Sequence, residues 1–263
     1  MKWIQTHALT ARQQEQIRSL QETCRRAEPF GHSVFLSGEL NHFGEMDCFF
    51  LGYEGQALAA VLTLFQPDAR EAEVTAFVRP DLRRQGRFTA LFAAARAELE
   101  RFGVSSVLFF HEPVCASGGE VLKRFPVERH HTEYLMEYDR TAAPAVPVLP
   151  LELEPATREL LPRLAELSAA AFGDAAADSR EKVERFFTAP AVSGYAARLD
   201  GRVAGHLFCN TEGGEAYLCD FCVEPALQGR GIGRSILALV LARVRRETEL
   251  PIRLEVDAVN DRA

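Results

Sequence analysis

The chain has 263 residues, of which 47% are hydrophobic and 25% charged, proportions typical of a globular protein long enough for two modest domains. Its net charge of -7 argues against broad binding to nucleic acid or anionic membranes, because both require clustered lysine and arginine. No apolar run approaches the roughly 20 residues that span a bilayer, and the N-terminus lacks a secretory signal pattern, so we expect a cytoplasmic protein.

In chain order, the first half predicts alternating helices and strands with one hairpin. Hydrophobic periodicity and turn residues place a helix over 10–26, a hairpin turn at 54–56, a glycine-containing turn over 78–86, a helix over 89–101 and strands over 106–110 and 132–138. Residues 142–150 contain three prolines and predict a stiff, extended linker. We therefore place the domain boundaries at 1–141, 142–150 and 151–263.

The second half predicts the same order of elements. It has helices over 155–172 and 179–187, a hairpin turn at 200–202, a strand over 217–223, a helix over 235–247 and a strand over 252–256. The two halves repeat with an offset of 145 residues, since VRPDLRRQG at 78–86 lies over VEPALQGRG at 223–231 with Val, Pro, Leu and Gly in register. The order of elements in each half predicts an α+β layered fold.

The six cysteines show no framework spacing, which predicts reduced thiols rather than disulfides. Cys219 and Cys222 form a CxxC pair, but it lies in a predicted strand, where residues three apart point to opposite faces of the sheet. No second pair of cysteines or histidines at metal-ligand spacing accompanies it. The sequence therefore predicts no metal site.

The glycine-rich turn after the strand over 217–223 has the features of an anion-binding site. A helix begins at about Gly231 to Gly233, and the first turn of a helix presents free backbone N–H groups and a positive dipole end. Glycines at 229, 231 and 233 let the backbone approach a phosphate closely. The side chains of Gln228, Arg230 and Arg234 can add further donors.

Cys222-Val223-Glu224-Pro225 followed by Gln228 to Arg234 resembles the acetyl-CoA-binding signature of the GNAT superfamily of N-acetyltransferases, Gln/Arg-x-x-Gly-x-Gly/Ala after the fourth strand. It differs from the dinucleotide fingerprint, whose glycines are spaced differently. The resemblance is strong at this motif and loose elsewhere. It implies two tandem GNAT-like domains, each a mixed, mostly antiparallel sheet flanked by helices.

The resemblance also implies a site and a reaction. Acetyl-CoA would lie where the fourth and fifth strands separate, with its pantetheine arm along the backbone of 221–223 and its pyrophosphate on the backbone of 229–234. The reaction would be direct transfer of the acetyl group to a primary amine of a small molecule or peptide, without a metal. The implied acetyl-CoA contacts are Phe221, Cys222, Val223, Gln228, Gly229, Arg230, Gly231, Ile232, Gly233, Arg234, Ser235 and Asn260.

Such a reaction needs a base that deprotonates the acceptor ammonium, often through water. We predict Asp220 as this base, because the family uses that strand to line the acceptor side and its neighbours Cys219 and Phe221 should raise its pKa. Tyr217 and Glu255 are the second choices. The alternative is that Asp220 only caps or pairs near the end of the strand.

The first half departs from the family pattern at the anion turn. Phe88 stands at the position of Gly233, and Arg87 at that of Ile232. Arg83, Arg84 and Arg87 nevertheless form a basic cluster that can hold a phosphate. We expect a structural or substrate-shaping first domain, with a second working acetyl-CoA site as the alternative.

The C-terminal sequence matches only part of the family pattern. Residues 260–263 fit Asn-x-x-Ala, and the family's acid, a tyrosine about seven residues after the asparagine, would fall near 267. The repeat offset predicts that a complete second half would extend about 22 residues beyond Ala263. Either the chain is truncated or the second domain ends early and borrows a strand from elsewhere.

The functional alternative to an enzyme is a non-catalytic acyl-CoA sensor or interaction module. The sequence is compatible with both a monomer and a homodimer.

Overall fold

A computed structural model describes residues 1–126, 128–143 and 145–260 of the chain. It divides into two compact units, Met1–His130 and His131–Ala263, each built on its own sheet. In both sheets most neighbouring strands are antiparallel and one pair is parallel. The predicted fold class, two tandem α+β domains with mixed sheets flanked by helices, is confirmed.

The first unit has a five-stranded sheet with helices on both faces. Its strands and helices are β1 (Lys2–Thr6), α1 (Ala11–Ala27), β2 (Phe49–Glu54), β3 (Ala57–Phe65), β4 (Glu71–Val78), α2 (Arg87–Phe102), β5 (Ser106–Phe109) and α3 (Ala116–Leu122). The strand order is β1-β2-β3-β4-β5, and only β4 and β5 are parallel. A capping box between Thr10 and Gln13 begins α1, as expected from Thr10 before an amphipathic segment.

Two hydrophobic layers hold this sheet between its helices. On one face, Ile17, Leu20 and Cys24 of α1 pack against β2 and β3. On the other face, Leu91 and Leu99 of α2 pack against the same strands and β4. Because β2 and β3 are covered on both sides, they consist almost entirely of apolar residues.

The second unit repeats this plan around six strands. Its elements are β6 (Glu133–Glu137), β7 (Glu152–Pro155), α4 (Leu161–Phe172), α5 (Ala176–Thr188), β8 (Val192–Leu199), β9 (Arg202–Asn210), β10 (Ala216–Val223), α6 (Ile232–Glu247) and β11 (Ile252–Asp257). The strand order is β6-β11-β10-β9-β8-β7, with β10 and β11 as the parallel pair. Helix α6 covers one face, and α4 and α5 cover the other.

The sequence repeat is also a structural repeat. Strands β3 and β4, the short 3-10 turn after β4, and α2 correspond residue for residue to β9, β10, the following turn and α6 at the predicted offset of 145. Both long helices begin after a glycine in the left-handed conformation, Gly86 with φ 77° and Gly231 with φ 83°. The shared turn geometry explains why the motif was the most visible part of the repeat.

Two edge strands were not predicted. β1 precedes α1, and β7 occupies 152–155, so the helix predicted over 155–172 begins only at Leu161. Both strands are short and lie at sheet edges, where the alternation of apolar and polar residues is weak. Hydrophobic periodicity alone therefore gives little signal for them.

The segment predicted as the last strand of the first half, 132–138, joins the second sheet instead. β6 pairs antiparallel with β11 from Arg253↔Glu137 to Asp257↔Glu133. Arg140 follows it and donates from Nη2 to the carbonyl oxygens of Thr248 (2.7 Å) and Leu250 (2.8 Å), beyond the end of α6. The compact units consequently divide before His131 rather than at the predicted boundary of 141.

We propose that the C-terminal domain begins near His131, and fragments test this boundary. The fragment 131–263 should unfold cooperatively in urea, whereas 142–263 should be at least about 3 kcal/mol less stable, because it lacks β6 and the charged hydrogen bonds of Arg140. Circular dichroism during urea titration measures the difference. Equal stability of the two fragments would restore the boundary at 141.

Among the described residues, no helix is both long and apolar enough to cross a membrane.

Candidate functional site

In the second sheet, the two parallel strands separate soon after they begin. β10 and β11 pair only at Ala216↔Ile252 and Tyr217↔Arg253. In the first sheet, the corresponding strands β4 and β5 stay paired over four positions, from Glu71↔Ser106 to Val74↔Phe109. Beyond Tyr217, the β11 side of β10 has no paired strand within the described residues, so backbone groups of 218–223 are available to an extended ligand.

The turn after β10 places the N-terminus of α6 beside the end of β10, where the opening ends. Gly229 and Gly231 have φ 75° and 83°, angles that glycine adopts without steric penalty. Ile232, the first residue of α6, is 1% exposed and fixes the start of the helix in the core. The side chain of Ile232 is therefore unavailable, and only its backbone could contact an anion.

The polar side chains of the turn are used within the turn itself. Gln228 Nε2 donates to the carbonyl oxygen of Val223 (3.2 Å), and Arg230 Nη2 donates to that of Ala226 (3.4 Å). In the first half, Arg83 Nε makes the same contact with Val78 O (3.2 Å). The side chain at this first motif position thus closes the strand end in both halves, which leaves the backbone N–H groups of α6 as the main candidate donors for an anion.

Ser235 is also used internally. Its fully buried hydroxyl accepts hydrogen bonds from the backbone N–H groups of Val148 and Leu149, both at 3.0 Å. These two residues belong to the predicted linker, which runs along the first turn of α6. A Cβ on Gly231 would lie 2.7 Å from Cγ2 of Val148, and the positive φ of Gly231 disfavours other residues as well, so this position strongly favours glycine.

β10 contains a bulge at its centre. Cys219 pairs with Phe208 and Cys222 with His206, so Asp220 and Phe221 stand opposite the single residue Leu207. The φ angle of Asp220 is 46°, in the left-handed region. The bulge shifts the alternation of side chains along the strand.

As a result, Cys219 and Cys222 both pack on the face covered by α4 and α5. The prediction that the CxxC cysteines face opposite sides is therefore wrong, because it assumed a regular strand. All six cysteines are free thiols. Among the described residues, no group of three or more His, Cys, Asp or Glu side chains has an arrangement that could hold a metal.

The carboxylate of Asp220 is buried in a polar cluster that no sequence motif predicts. Its Oδ1 accepts from Ser168 Oγ and from Lys182 Nζ, both at 2.9 Å, and its Oδ2 lies 2.8 Å from His206 Nε2. The Asp220 side chain is 2% exposed and that of His206 is fully buried. We call these four residues the Asp220 cluster.

Burial raises the pKa of Asp220, but the hydrogen bond from His206 and the charge of Lys182 outweigh it and lower that pKa to about 2. The expected raised pKa is therefore wrong. A buried carboxylate of such low basicity, with both oxygens occupied, is poorly suited to accept a proton from an ammonium ion. The alternative interpretation, that Asp220 pairs within the strand region, describes the geometry better.

Cys222 Sγ lies 3.4 Å from His206 Nδ1, so Cys222, His206 and Asp220 are arranged in the order of a nucleophilic triad. However, burial and the negative charge of Asp220 raise the pKa of the Cys222 thiol. A neutral, buried thiol is a weak nucleophile, so this arrangement does not support thiolate chemistry.

Stability of the C-terminal domain should respond to acid through Asp220. Its folded-state pKa lies below the unfolded value of about 3.9, so its stabilising contribution of about 2 kcal/mol is complete above about pH 5 and is lost as the pH falls towards 2. Urea unfolding of the unmodified chain and of Asp220→Asn should therefore show a stability difference that narrows by about this amount between about pH 5 and 2. An unchanged difference would contradict the lowered pKa.

Tyr217 and Glu255 form a pair where β10 and β11 separate. The Tyr217 hydroxyl donates to Glu255 Oε2 at 2.7 Å. Burial and the neighbouring Glu255 charge raise the pKa of Tyr217 well above its usual range. Tyr217 is consequently a hydrogen-bond donor at neutral pH rather than the base considered above. Of the three candidate bases, Glu255 is therefore the one that stays a candidate, and its carboxylate lies at the opening between β10 and β11.

Asn260 is exposed, and its backbone N–H donates to Asp257 O (2.9 Å). The rest of the Asn-x-x-Ala match, residues 261–263, lies outside the described residues. The structure therefore does not test the acetyl-CoA contact predicted for Asn260.

In the corresponding turn of the first half, arginines form ion pairs with carboxylates of the same domain. Arg83 Nη1 lies 2.8 Å from Glu28 Oε2, and Arg87 Nη2 lies 3.0 Å from Glu54 Oε1. Arg84 takes the left-handed position of Gly229, with φ 59°. The basic cluster considered as a second phosphate site is thus largely paired with carboxylates.

Four phenylalanines pack together next to this turn in the first domain. Phe125 packs against Phe92 and Phe109 with ring centroids 5.2 and 4.8 Å away, and Phe88 stacks on Phe92 at 5.7 Å. Phe88 stands where α6 has Gly233. Together with the longer β4–β5 pairing, this aromatic cluster favours a structural role for the first domain.

Residues 161–263 match the family model described as Acetyltransferase (GNAT) family. No curated protein matches the chain significantly. Among solved structures, the chain is similar to a GCN5-related N-acetyltransferase from Sphaerobacter thermophilus, with 17% identity and a TM-score of 0.69 over 97% of this chain and 87% of that one.

The chain is also similar to a tandem GNAT protein from the clavulanic acid biosynthesis pathway, with 18% identity and a TM-score of 0.66 over 98% of this chain and 90% of that one. A GNAT-family acetyltransferase from Colwellia psychrerythraea is 13% identical, with a TM-score of 0.57 over 99% of this chain and 91% of that one. At these identities the likeness shows a shared two-domain fold.

Proposed function

Because residues 161–263 match the acetyltransferase (GNAT) family model, we propose that the chain transfers the acetyl group of acetyl-CoA to a primary amine of a small molecule or peptide. The single observation that carries this proposal is the separation of β10 from β11 beside a helix N-terminus that opens after Gly231. One feature offers an unpaired strand edge and the other offers backbone donors for a pyrophosphate.

The proposed arrangement assigns distinct parts of acetyl-CoA to distinct groups. The pantetheine arm pairs with the backbone of 221–223, and the pyrophosphate lies on the N–H groups of 229–234. Gly229 and Gly231 allow close approach of the phosphates, and Gly233 leaves the surface of the first helical turn open. The side chains of Ile232, Gln228 and Ser235 support this geometry from inside the protein rather than through ligand contacts.

We propose Glu255 as the general base. It lies on β11 beyond the last residue paired with β10, at the edge of the opening, and it is half-buried. The acceptor ammonium gives a proton to its carboxylate, directly or through water, and the neutral amine attacks the thioester carbonyl. The tetrahedral intermediate then collapses with cleavage of the C–S bond, and the departing sulfur takes up, directly or through water, the proton that the acetylated nitrogen loses, so that coenzyme A leaves as the thiol.

Titration calorimetry with acetyl-CoA tests the donor site directly. We expect one equivalent to bind per chain, because the aromatic cluster and paired arginines disfavour a site in the first domain. Release of coenzyme A in the presence of a panel of small amines and peptides would establish turnover. Binding without turnover of any acceptor would favour an acyl-CoA sensor, and two equivalents would show that the first domain retains a site.

A further inference from the structure

The bulge of β10 has a backbone conformation that non-glycine residues rarely adopt. Asp220 has φ 46° in the middle of a strand, a geometry that persists only where its surroundings hold it. The corresponding strand β4 has no bulge, because its pairing with β3 runs without interruption from Ala60↔Val78 to Phe65↔Glu73. The strained feature therefore belongs to the second domain alone.

The surroundings of Asp220 do hold it. Its carboxylate receives contacts from three separate elements, namely Ser168 on α4, Lys182 on α5 and His206 on β9, all between 2.8 and 2.9 Å. Since these groups approach both carboxylate oxygens, rotating Asp220 into a regular strand conformation would break several charged hydrogen bonds in a buried site.

We propose that Ser168, Lys182 and His206 are positioning residues that hold the Asp220 bulge, and through it the backbone of 221–223, in the shape that orients the acetyl end of the donor. This inference rests on the proposed function and adds a role for residues that would not touch either substrate. It also gives the buried carboxylate a purpose other than proton transfer.

A physical argument and one observation favour positioning over general stabilisation. Buried ion pairs are often no more stabilising than apolar side chains of the same volume, so they are better suited to selecting one geometry than to adding stability. In addition, the cluster contacts β10 at the bulge of Asp220 and Phe221, and this bulge lies in the part of β10 beyond Tyr217 that is not paired with β11.

A matched pair of double variants tests the proposal. Lys182→Met/Asp220→Gly and Lys182→Met/Asp220→Ala both remove the whole ion pair, the Lys182 ammonium as well as the Asp220 carboxylate. They differ in one respect, because glycine adopts φ 46° freely and alanine does not. Asp174→Asn serves as a control, since it removes another partner of Lys182 (3.3 Å) and leaves the contacts of Asp220 in place.

We expect the glycine variant to keep the bulge and to have a kcat about tenfold or more above that of the alanine variant, because small displacements of reacting groups reduce rates steeply. The Kd for coenzyme A, which depends on the pyrophosphate turn, should be the same in both. Both variants are compared well below their melting temperatures. Equal kcat values in two folded variants would overturn the proposal, as would a parallel change in Kd.

Amide hydrogen exchange of the peptide covering 218–224, measured without substrates, separates this inference from the proposed function. Faster exchange in the alanine variant than in the glycine variant would support the holding of the bulge by the Asp220 cluster, even if the chain acetylated none of the amines tested. Identical exchange in both variants and in the unmodified chain would refute this role of the cluster, whatever the activity.

Discussion

Replacing Gly233 by aspartate should abolish acetyl-CoA binding without destabilising the C-terminal domain. Gly233 is the second residue of α6, and a Cβ there would meet Phe221 and Val223 at an ordinary 3.6 Å. An acidic side chain in the first turn of a helix stabilises it by up to about 1 kcal/mol through the helix dipole. The same charge would face the proposed pyrophosphate, and such repulsion should raise the Kd for acetyl-CoA by more than about 100-fold.

Gly233→Asn is the matched control, because it has the same shape without the charge and should retain most of the binding. Calorimetry gives the Kd, and urea unfolding gives the stability of each variant. If Gly233→Asp binds acetyl-CoA as well as the unmodified chain does, the pyrophosphate does not lie on the N-terminus of α6, and the proposed donor site is wrong.

Replacing Glu255 by glutamine should lower kcat by about 100-fold or more while leaving the Kd for acetyl-CoA nearly unchanged. Removal of a general base typically has effects of this size, and glutamine keeps the shape of the side chain. The acid limb of the pH–rate profile should also disappear. Glu152→Gln, at an exposed position on β7, is the control and should leave both parameters unchanged.

Tyr217→Phe refines this test. The Tyr217 hydroxyl donates to Glu255 Oε2 and so helps to hold this carboxylate at the opening. Its removal should therefore lower kcat less than Glu255→Gln does, because the carboxylate itself stays in place. A normal kcat in Glu255→Gln with a suitable amine would assign the base to another group or to water.

Several features of the site were predictable because they depend on local geometry. The turn over 223–231 needs glycine where φ is positive and proline where the strand must end, so its residues identify it without tertiary information. The repeat at 145 residues predicted the tandem arrangement for a similar reason, since both halves use the same turn. The role of single side chains was harder to predict. Gln228 and Ser235 stand at motif positions, but their side chains form hydrogen bonds within the protein.

The Asp220 cluster was not predicted from the sequence because its members are far apart in the chain. Ser168, Lys182 and His206 lie 52, 38 and 14 residues from Asp220, and none belongs to a motif. A histidine in the middle of an apolar strand and an aspartate in another were the only signals. They could have suggested a buried pair, but not the sign of the resulting change in the pKa of Asp220.

By itself, the sequence determined that two α+β units follow each other and that the second has an intact glycine turn before its long helix, because turn chemistry and hydrophobic periodicity act over a few residues. Only the tertiary structure decided that β6 belongs to the second sheet, that Asp220 occupies a bulge with a low pKa, and that Tyr217 meets Glu255. These outcomes depend on strand register and burial. Both are set by contacts between segments distant in sequence, which no local pattern encodes.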